Sequence, residues 1–414
     1  MRTPGDAARA ILAEIQPLPP ECIPLPEALD RVLTQDTRSP LDLPPWDNAA
    51  MDGYAVRSAD VPPGASGIEL RIVESIPAGG FPTRPLAQGE CSRIFTGAPL
   101  PTGADGVIRQ EDTTPLGPDR VRIGNARDTG RNVRYRGEDI EKGAVVLPAG
   151  SPLGPAQLGV LASIAMGEVY VHRKPRVAFL GSGDEIADLD EVPAIRAGRK
   201  IASSNTYTLL GNIRRAGGTP MNLGIARDDP TDIRARLQRA FGADIVISTA
   251  GISVGEHDHM RRVLENMQGT LGFWRIAMRP GAPVGFGRLG GMPWIGLPGN
   301  PVSTMVTFEL FVRPAIRRLL GYRRLFRRTV PVTAGEAFTL KAKLTHFQRA
   351  VVTDEDGTLV ARLTGPQGSG ILTSMAKANA LLIVPADLDD VTEGTALEAI
   401  LLDDPVHVAE PPWE

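Results

Sequence analysis

The chain is 414 residues long, more than one ordinary hydrophobic core can organise, so two to four domains are expected. Its 42% hydrophobic and 22% charged residues are globular values, and a formal net charge of −3 excludes a global pull toward nucleic acid or an anionic membrane. Any anionic ligand must therefore be held by local arginines and loops. Cys22 and Cys91, the two cysteines, match no metal or disulfide spacing, which suits a reducing cytoplasm. The opening MRTPGDAARAILAEI lacks the apolar core of a secretory signal, and no apolar run approaches the length of a membrane span, so a soluble, cytoplasmic protein is expected.

Taken in order, residues 5–16 form an amphipathic helix with Ala8, Ile11, Leu12 and Ile15 on one stripe, and residues 26–35 read as a second short helix. Pro40, Pro44 and Pro45 then stiffen a connector. From Trp46 to about Asp139, short β-prone pieces (68–73, 92–95, 106–109 and 120–123) alternate with Pro/Gly turns, the texture of an all-β module. A mixed connector over 140–172 carries a strand at 143–147 and a helix at 157–163.

From Pro175 the pattern becomes α/β. Strands are expected at 176–180, 220–224, 244–248, 272–277 and 294–297, with a glycine hairpin through Gly290 and Gly291. Helices are expected at 205–216, 231–241, 257–267 and 302–320, and Asp229-Pro230 reads as a cap with proline at the first helical position. This alternation argues a parallel sheet covered on both faces. Beyond Tyr322 the chain turns β again, with strands at 329–332, 341–344, 349–354, 358–363, 380–384 and 397–402, enough for a small barrel or sandwich. Trp274 and Trp294 read as sheet-face packing.

Three loops of the α/β part share one design: 181–185 (GSGDE), 251–258 (GISVGEHD) and 297–303 (LPGNPVS). Each follows a strand, so in a parallel sheet all three gather at the carboxyl edge, where open α/β sheets bind ligands. Gly181, Ser182, Gly251, Ser253, Gly255 and Gly299 leave room for backbone N–H groups to approach an anion. The carboxylates of Glu185 and Asp258 would repel a phosphate, which implies a bridging cation such as Mg²⁺. If 272–278 is a strand, Arg275 and Arg279 share a face and could grip an oxyanion, although solvated arginines would satisfy the same pattern. In the β module, DNAAMDGYAV with Asp52, RIFTGAP with Thr96 and RGEDI with Asp139 are each, on physical grounds alone, a turn presenting a polar side chain. His257 and His259 flank Asp258, but His172 and His346 lie far off and no zinc-ligand spacing results.

The stretches AAMDGYAVR, RIFTGAPLPTGAD, RGEDI, GDE, GISVGEHD, RPG and GLPGNPVS, in this order and spacing, resemble molybdopterin molybdenumtransferases, the family that includes the C-terminal half of eukaryotic gephyrin. The resemblance runs over nearly the whole chain and reaches GSGILTSM at 368–375. It implies a multidomain α/β plus β protein: a three-layer α/β/α parallel-sheet domain (174–322), an inserted all-β domain (46–139), a mixed elongated linker domain (1–45 and 140–173) and a C-terminal β-barrel-like domain (323–414). It further implies a homodimer whose active site lies between the α/β domain of one subunit and the all-β domain of the other. The reaction it implies is the last step of molybdenum cofactor synthesis. Adenylylated molybdopterin and molybdate react with help from a divalent cation, AMP leaves, and the metal reaches the dithiolene. The adenylylating enzyme and molybdoenzyme maturation proteins are the partners it suggests.

By the same resemblance, Asp52, Asp139, Glu185, Asp228 and Asp258 are the catalytic acids, and Asp52, Glu185 and Asp258 hold the cation. Thr96, the three loops, Arg275 and Arg279 bind substrate, Pro298, Asn300 and Pro301 shape the pterin end, and Arg349 and Ser369 contact the pterin. The family commonly has lysine at Arg275 and Arg279 and again at Ala282, and serine and threonine where this chain has Ala49 and Ser182. A planar guanidinium and a compact ammonium grip an oxyanion differently, so these departures bear on anion geometry. A tungstate-handling variant and a non-catalytic scaffold are the alternatives. The full set of acids argues against a decayed site.

Overall fold

The computed structural model describes residues 1–249, 259–267, 269–273, 275–340 and 343–403. The chain divides into two compact units, one of Met1–Glu21, Asp30–Val32 and Val171–Glu414, the other of Cys22–Leu29 and Leu33–Tyr170.

The larger unit is built on a six-stranded sheet in the order Thr219–Ala226, Arg176–Ser182, Ile245–Thr249, Met292–Leu297, Gly285–Leu289, Thr270–Phe273. The first four strands are parallel; the hairpin through Gly290-Gly291 adds Gly285–Leu289 antiparallel to Met292–Leu297, and Thr270–Phe273 pairs antiparallel to Gly285–Leu289 at the edge. Strand periodicity sorts the side chains into two cores. Val177, Phe179, Ile245, Ile247 and Ile295 face Leu209, Ile213, Phe308 and Ile316 of the helices Ser204–Arg215 and 301–319, together with Ile11 and Ile15 from the N-terminal end. Ala178, Leu180, Val246 and Trp294 face Ile233, Leu237, Val263 and Leu264 of helices Pro230–Gln238 and His259–Asn266. Three layers result. Trp294 is fully buried as expected, and its indole N–H donates to Ser248 Oγ at 3.1 Å; Trp274 lies outside the described residues. Asp229 does cap Pro230–Gln238, accepting from the Asp232 N–H.

The expected helix 302–320 is continuous but not uniform. An α-helical Pro301–Thr307 passes through one wide turn, Phe308–Val312, into Arg313–Leu319. Pro314 has no N–H to bond one turn back, so the ladder loosens just before it.

The C-terminal strands Thr345–Glu355, Thr358–Leu363, Thr329–Ala334, Ala396–Leu401 and Ala380–Val384 pair in that order and close back on the first, forming a five-stranded barrel. Val332, Ala350, Val352, Leu382 and Ala399 fill it, while Phe347, Leu381 and Ile400 belong to the α/β core. The strand expected at 341–344 starts instead at Thr345, residues 341–342 lying outside the described set.

One expectation with functional weight fails. Residues 272–278 are not a single strand: pairing stops at Phe273, and Met278–Arg279 is a separate short strand lying parallel to Thr345–His346 of the barrel. Between them the Ile276 and Val284 N–H groups both donate to the Ala282 carbonyl, and Gly281 takes φ +95°, so the chain turns back on itself. Arg275 and Arg279 therefore share no strand face.

The smaller unit carries a six-stranded sheet in the order Gly106–Arg109, Gly53–Val56, Glu90–Ile94, Ile68–Ile76, Arg120–Ile123, Thr113–Pro115. Only Ile68–Ile76 and Glu90–Ile94 run parallel. Val56, Leu70, Cys91, Ile108 and Val121 make one core and Ala49, Ala55, Ile76 and Ile94 another. The helix expected at 26–35 reduces to a three-residue 3₁₀ turn, Leu25–Glu27, and Asp30 takes φ +60°, a left-handed conformation that no α-helix continues through.

Candidate active site

At the carboxyl ends of the parallel strands lies a cleft of about 440 Å³ whose wall includes Gly181, Ser182, Glu185, Asn205, Thr249 and the run 298–301. Two of the three expected loops thus meet there. The third, with Gly251, Ser253, Gly255 and Asp258, falls outside the described residues.

Strand Arg176–Ser182 delivers Gly181 and Ser182 with their backbone against Thr249. Ser182 is buried and donates its hydroxyl to the Thr249 carbonyl at 3.4 Å. Gly183 follows at φ +139°, and Glu185 folds back over it: a Cβ on residue 183 would stand 2.7 Å from the Glu185 carboxylate. Only glycine admits both that backbone and that approach. The Ile201 N–H then fixes the Glu185 carbonyl at 2.8 Å.

On the far wall, the Asn205 side-chain amide donates to the Gly299 carbonyl at 2.7 Å, and Thr304 Oγ1 donates to the Pro298 carbonyl at 2.6 Å. Asn300 donates to Ser369 Oγ at 2.9 Å, and the Ser369 carbonyl accepts from the Val302 N–H at 3.1 Å. The structure therefore brings Asn300 and Ser369 together. Helices Ser204–Arg215 and Pro301–Thr307 both start at this wall, and neither Ser203 nor Asn300 caps its helix with a side chain. Their positive ends favour an anion. From sequence Asn205 is only the first residue of the helix expected at 205–216; its place after a short polar loop is the available signal.

Arg349 stands behind the 366–370 loop, fully buried. It donates through Nε to Ser374 Oγ (3.0 Å) and through Nη2 to the Gly368 carbonyl (3.0 Å), while Nη1 has no partner among the described residues. Burial without a carboxylate pushes its guanidinium down to about 10, still cationic at neutral pH.

Asp228 contributes differently. Its carboxylate accepts from the Asp184 N–H at 3.4 Å, and Asp184 accepts from the Asp228 N–H at 3.3 Å. This reciprocal clasp joins the loops after strands Arg176–Ser182 and Thr219–Ala226, beside a second, acid-lined cleft that includes Asp184, Asp188, Asp190 and Lys200. Arg275 and Arg279 are exposed and are not among the residues lining the Glu185 cleft.

In the smaller unit Asp52 is half-buried, and its Oδ1 accepts both the Thr96 N–H (2.8 Å) and the Thr96 hydroxyl (2.7 Å). Those two bonds, the backbone one first, hold its carboxyl below the usual carboxylate range, with help from Arg93. Asp139 is exposed on a separate turn, its N–H bonded to the Leu43 carbonyl at 3.1 Å.

Three family models match in succession: the MoeA N-terminal region (domain I and II) over residues 3–165, a probable molybdopterin binding domain over 178–318, and the MoeA C-terminal region (domain IV) over 331–402. Molybdopterin molybdenumtransferase 2 of Mycobacterium tuberculosis is 35% identical over 409 residues, covering 96% of this chain and 99% of that one. The chain belongs to the molybdopterin molybdenumtransferase family. The Haemophilus influenzae member is 33% identical, covering 94% of this chain and 96% of its own. A crystal structure of the molybdopterin biosynthesis moeA protein from Pyrococcus horikoshii superposes with a TM-score of 0.82 at 29% identity, covering 97% of this chain and all of that one. The cleft thus lies in the segment matched by the probable molybdopterin binding domain, and Ser369, bonded to Asn300 of its wall, lies in the segment that the MoeA C-terminal model covers.

Among the described residues no three His, Cys, Asp or Glu side chains converge on one point. Among the described residues Glu185 is the one carboxylate that lines the cleft, and one or two carboxylates plus phosphate oxygens and waters is the ordinary setting of Mg²⁺.

Proposed function

We propose that the chain transfers molybdenum from molybdate to the dithiolene of adenylylated molybdopterin, releasing AMP, as a cytoplasmic homodimer. The observation that carries this reading is the Glu185 cleft, with its small-residue floor and two uncapped helix starts, in a chain that matches transferase relatives from end to end.

In this reading Gly181, Ser182 and Gly299 bring backbone close to the diphosphate, with Gly251, Ser253 and Gly255 of the third loop. Pro298, Asn300 and Pro301 shape the wall that Ser369 extends toward the pterin, while Arg349, buried behind the 366–370 loop, holds that loop in place rather than contacting the pterin. Glu185, aided by Asp52 and Asp258, would hold a divalent cation, which when bound neutralises diphosphate charge. Water attacks phosphorus, the phosphoanhydride P–O bond breaks, and AMP departs. The two thiolates of the dithiolene then displace one oxo group of molybdate, which takes up two protons and leaves as water, with no change of oxidation state. Asp52, kept ionised by Thr96, and Asp139 orient the reacting groups, Asp228 keeps the neighbouring loop in place, and Arg275 and Arg279 attract the oxyanion.

The test is AMP release from adenylylated molybdopterin with Mg²⁺, in the presence of molybdate and then of tungstate. Molybdate-dependent AMP is expected; none from a folded sample given both substrates refutes the reading. Light scattering on the same sample should return twice the 44.2 kDa chain mass.

A further inference from the structure

We propose that the exposed pair Trp46–Phe81 is a stacking ledge for a planar nitrogen heterocycle of the substrate. This rests on the transferase reading, whose substrate carries two such rings, a pterin and an adenine.

The two rings lie 5.0 Å apart at 70°, edge to face, and are 38% and 61% exposed. Single exposed aromatics are ordinary; two that meet at the surface hold each other in place and leave a fixed ring face open to solvent. Their position in the sheet gives the pair a function. Strands Ile68–Ile76 and Glu90–Ile94 run parallel with Ile76 opposite Ile94, so the loops that follow leave the sheet at the same edge. The first of those loops carries Phe81 and the second carries Thr96. The segment 46–52 lies along the second loop: the Leu100 N–H donates to the Asp47 carbonyl (2.9 Å), the Ala49 N–H to Ala98 (3.0 Å) and the Gly97 N–H to Ala49 (2.8 Å). One pinned strap thus presents Trp46 at one end and Asp52, bonded to Thr96, at the other.

Six residue steps separate them, at most about 20 Å even fully extended, within the reach of a heterocycle carried on a diphosphate chain. Arg93 adds a cation at this edge. Its guanidinium is stacked 5.0 Å from the Tyr54 ring centroid and 4.9 Å from that of Phe95, and it donates to the Gly53 carbonyl and to Gln110. Aromatic ledge, fixed cation and ionised acid together suit a flat, N–H-bearing ring attached to an anionic chain. Stacking of a base on an aromatic side chain changes affinity by about five- to a hundred-fold.

The experiment uses the full-length protein and three probes, AMP, 6-hydroxymethylpterin and the ring-free ribose 5-phosphate, titrated by calorimetry into wild type, Trp46→Ala, Trp46→Phe and Phe81→Ala. One of the two ring-bearing probes should bind about tenfold more weakly to both alanine variants and near normally to Trp46→Phe, and which probe it is identifies the ring. Ribose 5-phosphate should not distinguish the four proteins. In turnover the alanine variants should raise KM for adenylylated molybdopterin about tenfold, with kcat within about threefold. Wild-type affinities for both rings and an unchanged KM in both alanine variants overturn the ledge while leaving the transferase reading intact. Loss of ring binding in those variants, with no AMP release from wild type, supports the ledge and refutes the transferase.

Discussion

Asp52 and Glu185 are both acids set at a strand end, one just before Gly53–Val56 and one just after Arg176–Ser182, and the chain holds them by opposite means. Asp52 is held by a side chain and its backbone: Thr96 donates twice to one oxygen. Glu185 is placed by glycine geometry, its carboxylate lying over a residue that has no side chain. The first arrangement fixes charge, because hydrogen bonds to the ionised form depress the pKa. The second fixes position and leaves the carboxylate oxygens available to a ligand. Where an acid must stay ionised, a hydroxyl beside it serves; where it must bind, an empty neighbour does.

The largest effect is expected at Glu185 itself. Glu185→Gln keeps the shape and removes the charge, and AMP release should fall on the order of 10³-fold with the thermal midpoint unchanged. A turnover near wild type would remove Glu185 from the site.

Gly183→Ala tests position separately from charge. The added Cβ meets the Glu185 carboxylate at a φ that L-residues rarely adopt, so turnover should drop about 100-fold. Stability should fall by roughly 1–3 kcal/mol, read by urea titration. A silent substitution would mean that Glu185 is free to relocate.

Thr96→Ala should act more mildly, and on pH. The backbone N–H bond survives, the hydroxyl bond is lost, and the Asp52 pKa rises toward its ordinary value. The acid limb of the pH–rate profile should therefore move to higher pH, while Thr96→Ser leaves it in place. The stability from this contact is present above the ordinary carboxylate range and is lost as pH falls through the depressed value. An unmoved acid limb in Thr96→Ala would separate Asp52 from the rate.

The smallest effect is expected at Asp228. Asp228→Asn keeps an acceptor for the Asp184 N–H and should retain turnover within about threefold, whereas Asp228→Ala should lose about tenfold. Equal, large losses in both would make its charge part of the chemistry.

The contrast also explains what could be read in advance. Ile245-Val246-Ile247 is buried on both faces, so its composition alone marked a central strand. The loops at such strand ends followed by topology, and with them Gly181, Ser182, Glu185 and the 298–301 run. Residues 272–278 misled because a β-prone run reads the same whether it pairs once or is split between two sheets; the turn centred on Ala282 decided it. The Asp184–Asp228 clasp and the Asn205–Gly299 bond join residues 44 and 94 positions apart, which no local pattern encodes. Thr96 and Asp52, likewise 44 apart, were each singled out only through the family resemblance, and nothing local announced the bond between them.

The most direct measurement of the central claim is AMP released from adenylylated molybdopterin by wild type and by Glu185→Gln, with and without molybdate, at equal protein and Mg²⁺. The account predicts release by wild type that depends on molybdate and nearly vanishes in the variant. Equal release by the two proteins would contradict it.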